Sequence, residues 1–315
     1  MSNDPAHLVY NHHDGPILAL AYHPHGHMLA AADAHGTVKL WDCSGELLLA
    51  AFREHTRAVW SLAFSPDGHL LASASHDGTV KLWDIAATKE RFTIRHDDSM
   101  VWSVAFSADG KILALGTDAG SVALFDAASG KLWSAFPGHG RAVLSLAFAA
   151  DGKQLASGSE DMTAKIWDFE HACESHTLAG HHGSVNAVDF SPHGNTLATA
   201  SDDMTVMFWD AATGAACQTL RDHCGLVEAL AFAPDGTHLA SAGQDGAVKL
   251  CYVPTGDLQA SFEDPANIIW AVRFSPDGEM LACAGEDGLL RLRDLHGRTC
   301  ESDSRRVVSA SAAHA

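Results

Sequence analysis

The sequence predicts an all-β chain closed into a single ring of seven four-stranded antiparallel blades, and three observations predict it. An aromatic residue followed by a tight turn recurs at a fixed step of 42 residues, at Tyr22, Phe64, Phe106, Phe148, Phe190, Phe232 and Phe274. Twelve residues before each of these anchors stands an apolar residue, Tyr10, Phe52, Ile94, Phe136, Leu178, Leu220 or Phe262, so a second column keeps the same register. Helical periodicity is absent, and a repeat of this length is the signature of an array of small supersecondary units.

The elements of one repeat follow in order. An inner strand over residues 58–64 (AVWSLAF) runs into Ser65-Pro66-Asp67-Gly68, where proline suits the fixed φ of the second turn position and glycine the positive φ that follows. A second strand over 69–75 (HLLASAS) ends at Asp77-Gly78, a two-residue hairpin signal because both central positions need φ > 0. A third strand, TVKLWD at 79–84, and an apolar fourth, such as LLLAAF at 47–52, complete the unit. Such a unit cannot bury both faces alone, so copies must stack, and the closed radial solution is a seven-bladed β-propeller.

Closure is also legible. The outer strand of the seventh blade would fall in the polar run CESDSRR at 300–306, whereas Leu8-Val9-Tyr10 supplies a matching apolar strand. An N-terminal strand over about residues 6–11 is therefore expected to complete blade seven. The propeller then spans 1–294, and 295–315, rich in Ser, Ala and Arg, reads as a mobile tail.

Composition bounds the function. The 315 residues are 47% hydrophobic and 19% charged, the profile of an ordinary globular chain. No apolar run reaches the roughly 20 residues of a membrane span, and the start, MSNDPAHLVYNHH, lacks the features of a secretory signal. Seven scattered cysteines with no CxxC pair suggest free thiols, so the cytoplasm is the expected location. A net charge of −19 repels phosphate, which argues against nucleic acid and anionic membrane as partners.

The residues resemble the WD-repeat family over roughly positions 6 to 294. Trp41-Asp42, Trp83-Asp84, Trp167-Asp168 and Trp209-Asp210 end third strands, and Gly138-His139 and Gly180-His181 match the family's Gly-His dipeptide. The resemblance implies a structural tetrad of loop His, second-strand Ser or Thr, turn Asp and third-strand Trp. Three repeats carry all four: His55, Ser73, Asp77 and Trp83; His139, Ser157, Asp161 and Trp167; His181, Thr199, Asp203 and Trp209.

A Ser-His-Asp set invites a nucleophilic triad reading. Catalysis would need one site and not several copies, however, and no oxyanion or nucleophile motif accompanies it. The remaining repeats depart from the tetrad. The sixth has His223, Ser241 and Asp245 but Cys251; the first has His13 and Trp41 but Ala31 and His35; the third has Asp97, Leu115, Ala119 and Phe125; the seventh has Pro265, Cys283, Asp287 and Arg293. Blades three and seven are expected to be the least tightly tied.

Among 21 histidines, His23, His25 and His27, with His12, His13 and His35, suggest a metal site, but their spacing matches no zinc pattern and they occupy turn positions. Neither a metal nor a cofactor is expected. The family resemblance implies a partner surface on the narrower top face, the side of the tetrad histidine loops.

The residue four before each anchor should sit there: Leu18, Trp60, Trp102, Leu144, Asn186, Glu228 and Trp270. Because blade seven adjoins blade one, Trp270, Leu18, Trp60, Trp102 and Leu144 form a continuous arc. Met100, Leu226 and Ile268 add apolar surface, and Glu160 and Asp202 an acidic sector. Such a face suits a protein or peptide with apolar anchors and basic residues. The expected function is a non-catalytic interaction scaffold, a subunit or assembly factor of a larger complex. The bland alternative is that the tryptophans only plug the channel, and the functional alternative is a small-molecule or catalytic site within it.

Overall fold

A computed structural model of the chain describes residues 7–295 apart from 12, 44–46, 97, 98, 170, 172, 194, 265 and 266. Asp97 and Pro265 of the tetrad comparison, His12 and the expected tail from 296 onward lie outside the described residues.

Among the described residues, 28 strands form seven four-stranded antiparallel sheets. The N-terminal strand is β1 (His7–Asn11). Blade one follows as β2 (Ile17–Tyr22), β3 (Met28–Asp33), β4 (Val38–Asp42) and β5 (Leu47–Phe52), and blade two as β6 (Val59–Phe64), β7 (Leu70–Ser75), β8 (Thr79–Asp84) and β9 (Lys89–Arg95). Blade three is β10 (Val101–Phe106), β11 (Ile112–Thr117), β12 (Ser121–Asp126) and β13 (Leu132–Pro137); blade four is β14 (Val143–Phe148), β15 (Gln154–Ser159), β16 (Thr163–Asp168) and β17 (Cys173–Ala179). Blade five is β18 (Val185–Phe190), β19 (Thr196–Ser201), β20 (Val206–Asp210) and β21 (Ala216–Leu220); blade six is β22 (Val227–Phe232), β23 (His238–Gly243), β24 (Ala247–Tyr252) and β25 (Asp257–Glu263). Blade seven has β26 (Ile269–Phe274), β27 (Met280–Gly285) and β28 (Leu289–Asp294), and its outer strand is β1. The closing ladder pairs His7 with Arg293 and Asn11 with Leu289.

Gly68 has φ 73° and Gly78 φ 79°, and the Asp67 carboxylate accepts the His69 amide at 3.0 Å and the Ser65 hydroxyl at 2.6 Å. The two-residue hairpin expected at Asp77-Gly78 is not formed: only Gly78 has positive φ, and its amide closes a turn on the Ser75 carbonyl at 3.2 Å in a three-residue loop, where one glycine suffices. Each sheet buries its second and third strands almost completely, whereas the fourth strands of blades one to six are largely exposed.

The core lies between blades. Val80, Leu82 and Ile94 of blade two pack on Val101, Val104 and Leu113 of blade three, and Ala282, Leu290 and Leu292 of blade seven pack on Ile17, Leu20 and Trp41 of blade one. The ring-closing interface is therefore as apolar as the others, and burial of this area is what holds the blades together.

Candidate functional site

Each innermost hairpin carries the same irregularity. The register slips between Ile17 and Ala19, Val59 and Ser61, Val101 and Ser103, Val143 and Ser145, Val185 and Ala187, Val227 and Ala229, and Ile269 and Ala271. The skipped residue is Leu18, Trp60, Trp102, Leu144, Asn186, Glu228 or Trp270. A bulge breaks strand alternation and re-aims a side chain, so the bulged residue joins its successor in lining the channel. The seven residues four before the anchors form one ring at its mouth, together with Glu160, Asp202 and Leu226. Met100 and Ile268 are half-buried beside it.

Five of these residues meet a side chain sixteen positions on, across the hairpin. Trp60 Nε1 donates to His76 Nδ1 at 3.1 Å, Trp102 Nε1 to Asp118 Oδ1 at 3.3 Å and Trp270 Nε1 to Glu286 Oε2 at 3.1 Å. Asn186 Nδ2 donates to Asp202 Oδ1 at 2.7 Å, and Gln244 Nε2 to Glu228 Oε1 at 2.8 Å. Glu160 stands opposite Leu144, which has no polar group to offer it. Burial, with Asp202 nearby, pushes the Glu228 carboxyl up.

The aromatic residues converge rather than lying side by side along an open arc. The Trp60 ring centroid is 5.2 Å from that of Trp102 and 5.9 Å from that of Trp270, and the His76 ring stands 4.1 Å from Trp102 at 76°. Leu18 separates Trp60 from Trp270 around the ring, yet it is only 7% exposed, and the two rings meet. All three indoles keep partial exposure.

The sequence reading missed two residues of this face. Met162 and Met204 occupy the hairpin-turn position that is glycine in the other five blades. Both have positive φ, 70° and 68°, and both are exposed, by 47% and 45%. A non-glycine side chain in this backbone region is uncommon and costs energy. The signal was present in the aligned repeats as a long side chain where the turn asks for none.

Below the turns, the tetrads form one-way hydrogen-bond chains. In blade two, Trp83 Nε1 donates to Ser73 Oγ at 2.9 Å, Ser73 Oγ lies 2.8 Å from His55 Nε2, and His55 Nδ1 lies 2.9 Å from Asp77 Oδ2. The corresponding distances are 2.8, 2.7 and 2.9 Å in blade four and 2.9, 2.7 and 2.9 Å in blade five. With the serine or threonine hydroxyl donating to Nε2, the imidazole proton lies on Nδ1 toward the aspartate, and burial pushes His139 and His181 down despite their aspartates. Burial raises the Asp161 and Asp203 carboxyls, but hydrogen bonds from threonine, a backbone amide and histidine more than offset this and bring each to about 2. Ser73, Ser157 and Thr199 are 0% exposed and already accept an indole N–H, so these hydroxyls are out of reach of any substrate.

The departures are satisfied in ways that position-by-position comparison did not anticipate. In blade one, His13 Nδ1 finds Asp33, two residues before the usual turn position, at 2.8 Å. Its Nε2, facing Ala31 in place of a hydroxyl, has no hydrogen-bond partner among the described residues. Blade six holds His223 to Asp245 and to Ser241, both at 2.8 Å.

Blade seven carries ties that the tetrad comparison did not include. Buried Asp264 takes Arg291 at 3.2 Å and the Cys283 thiol at 3.4 Å, Arg291 also bonds Asp287, and Arg293 lies 4.0 Å from the centre of the Phe262 ring. A cationic tie replaces the neutral one. Blade three has no such tie among the described residues; the His96 ring stands edge-on to Phe125 at 5.7 Å.

The rings of His23, His25 and His27 cluster at 4.5–6.4 Å, with His23 Nε2 on the Gly68 carbonyl at 3.2 Å. No group of three or more His, Cys, Asp or Glu able to hold a metal ion occurs among the described residues.

A family model described as WD domain, G-beta repeat matches residues 6–42, 214–251 and 256–294. A second, described as the second β-propeller of echinoderm microtubule-associated protein, matches residues 59–224, more than half of the chain. A search of the curated proteins finds no match.

Proposed function

From the premise that this chain belongs to the WD-repeat family of β-propellers, we propose that it is a non-catalytic scaffold that binds a protein or peptide through its top face, as a subunit or assembly factor of a larger complex. The observation that carries the reading is the asymmetry of the bulge ring. Trp270, Trp60 and Trp102 gather on one side while Asn186, Asp202, Glu228 and Glu160 occupy the other.

Partly exposed indoles are typical interaction anchors, and the exposed Met162 and Met204 side chains extend the apolar surface next to the acids. A ligand with apolar anchors and basic residues suits this arrangement. The net charge of −19 argues against nucleic acid and anionic lipid, and no helix among the described residues is long and apolar enough to cross a membrane. Six described cysteines are unpaired thiols, consistent with work in a reducing compartment such as the cytoplasm.

The test is selection of peptides from a displayed random library on the native chain, followed by rebinding to two folded variants. One is Trp60→Ala, Trp102→Ala, Trp270→Ala; the other is Glu160→Lys, Asp202→Lys. Basic, apolar-anchored peptides that are lost by both variants support the reading. Peptides that bind native chain and variants equally would move the site to blade edges or the bottom face and leave the indoles as a plug.

A further inference from the structure

The channel beneath the tryptophans is a chamber of about 440 Å³, within the range of small-molecule sites. Its wall is built from small residues in register. The layer below the bulge ring is Ala19, Ser61, Ser103, Ser145, Ala187, Ala229 and Ala271. In the next layer, just before the anchors, five blades have alanine and two do not: blade five has Asp189 and blade seven has Arg273. One acid and one base are thus set into two layers that are otherwise uncharged, and Glu228 of the ring above is the third charged residue lining the chamber.

Blade six, which stands between them, holds both. Its Phe232 amide donates to Asp189 Oδ2 at 2.9 Å, and its Leu230 carbonyl accepts from Arg273 Nη1 at 3.3 Å. Arg273 Nη1 also bonds the Val272 carbonyl at 2.8 Å, while its Nη2 and Nε make no hydrogen bond with the described residues. The two head groups do not close on each other to within 4.0 Å. Opposite charges in one chamber are thereby held apart, each fastened to backbone. Burial pushes the Asp189 carboxyl up to about 6, and Arg273 opposes that shift.

The geometry points to a binding site for a small zwitterion, an α-amino acid with an uncharged side chain, whose carboxylate sits on Arg273 and whose ammonium sits on Asp189. A guanidinium with unused N–H groups favours a carboxylate, because planar bidentate pairing is its strongest mode. A separated pair favours a ligand carrying both charges, since either charge alone would leave one wall group without its complement. The Ala and Ser side chains of the two layers leave room for an uncharged side chain. This site does not depend on the top-face reading.

Calorimetry and thermal melting with L-leucine and L-glutamine test the proposal, with isoamylamine and 4-methylpentanoate as the amine and acid that each lack one charge. The expected result is one-to-one binding of at least one amino acid with a raised melting temperature, and at least about tenfold weaker binding of the amine and acid. Asp189→Ala and Arg273→Ala should each abolish it. Both substitutions restore the residue found in the other five blades, so the variants are expected to fold, and circular dichroism with melting establishes that they do. The proposal is overturned if neither amino acid binds the native protein, if 4-methylpentanoate binds as well as leucine, or if binding survives in the Asp189→Ala, Arg273→Ala double variant.

Discussion

The indole N–H of Trp60 donates to Nδ1 of His76 across the innermost hairpin of blade two, and the same His76 ring stands edge-on to Trp102. That bond requires an unprotonated Nδ1. Burial, with Arg57 nearby, lowers the His76 pKa below its ordinary value of 6.5. Acid titration of indole fluorescence should therefore show quenching with a midpoint below 6.5 that disappears in His76→Gln. A midpoint at or above 6.5 would contradict the pairing.

Removing the shared hydroxyl separates the complete tetrads from the incomplete one. Ser157→Ala strips a partner from both Trp167 Nε1 and His139 Nε2, whereas Ser241→Ala in blade six strips one from His223 Nε2 alone. Each buried orphan costs about 1–3 kcal/mol. Urea unfolding should show Ser157→Ala losing roughly twice as much stability as Ser241→Ala, and equal losses would mean the indole bond contributes nothing.

The histidines also set a pH dependence. His13, His139, His181 and His223 all have pKa values below 6.5 in the folded chain, mainly through burial. The unfolded chain then binds more protons below pH 6.5, so stability present above that pH is lost as pH falls. Asp161 and Asp203, brought to about 2, add a second loss below pH 4, while Asp189, raised to about 6, opposes the trend between about pH 6 and 4. High salt screens the repulsion from a net charge of −19. Under that condition the melting temperature should fall from pH 7 to pH 5, and a flat or rising profile would show that the imidazoles accept protons without loss of their bonds.

Met162 and Met204 bear the strain of positive φ on long side chains. Glycine would relieve roughly 1–2 kcal/mol of steric cost at each position and return part of it as backbone entropy. Met162→Gly is expected to raise stability by roughly 0.5–1 kcal/mol in urea and, if the top face binds peptides, to weaken them. A destabilised variant would mean that the methionine makes a contact worth more than the strain.

Hydrogen exchange orders the blades. Blade seven has the Asp264, Arg291 and Asp287 cluster in place of a tetrad, whereas no comparable tie among the described residues joins Leu115, Ala119 and Phe125 of blade three. Amides of the β11–β12 hairpin should exchange before those of β15–β16 and β27–β28. Early opening of blade seven would show that its ion cluster does not replace the neutral chain of hydrogen bonds.

What could be read in advance was what repeats. A 42-residue step aligned Phe64 with Phe106 and His55 with His139, and alignment alone assigned strands, turns and tetrads. What could not be read is local to one blade. Asp33 reaches His13 from two positions earlier than its counterparts, and Asp264 precedes the position where a histidine is expected, so column-by-column comparison passed over both. The bulge is a different case. A period-two reading of VWSLAF puts Trp60 and Ser61 on opposite faces, and only the slipped register sends both toward the lumen. The convergence of Trp60, Trp102 and Trp270 is a packing property with no mark in the spacing.

The pairing of β1 with β28 gives the molecule a temporal asymmetry. A ribosome makes residues 7–11 before any blade and residues 289–293, their partners, only after the other six blades are complete. A strand made before any of these blades is thus the last to find its place. Until then its backbone groups and the open edge of β28 have no ladder to join, so a chain interrupted anywhere in blade seven leaves two unsatisfied edges at opposite ends of one molecule, each a template for a neighbouring chain.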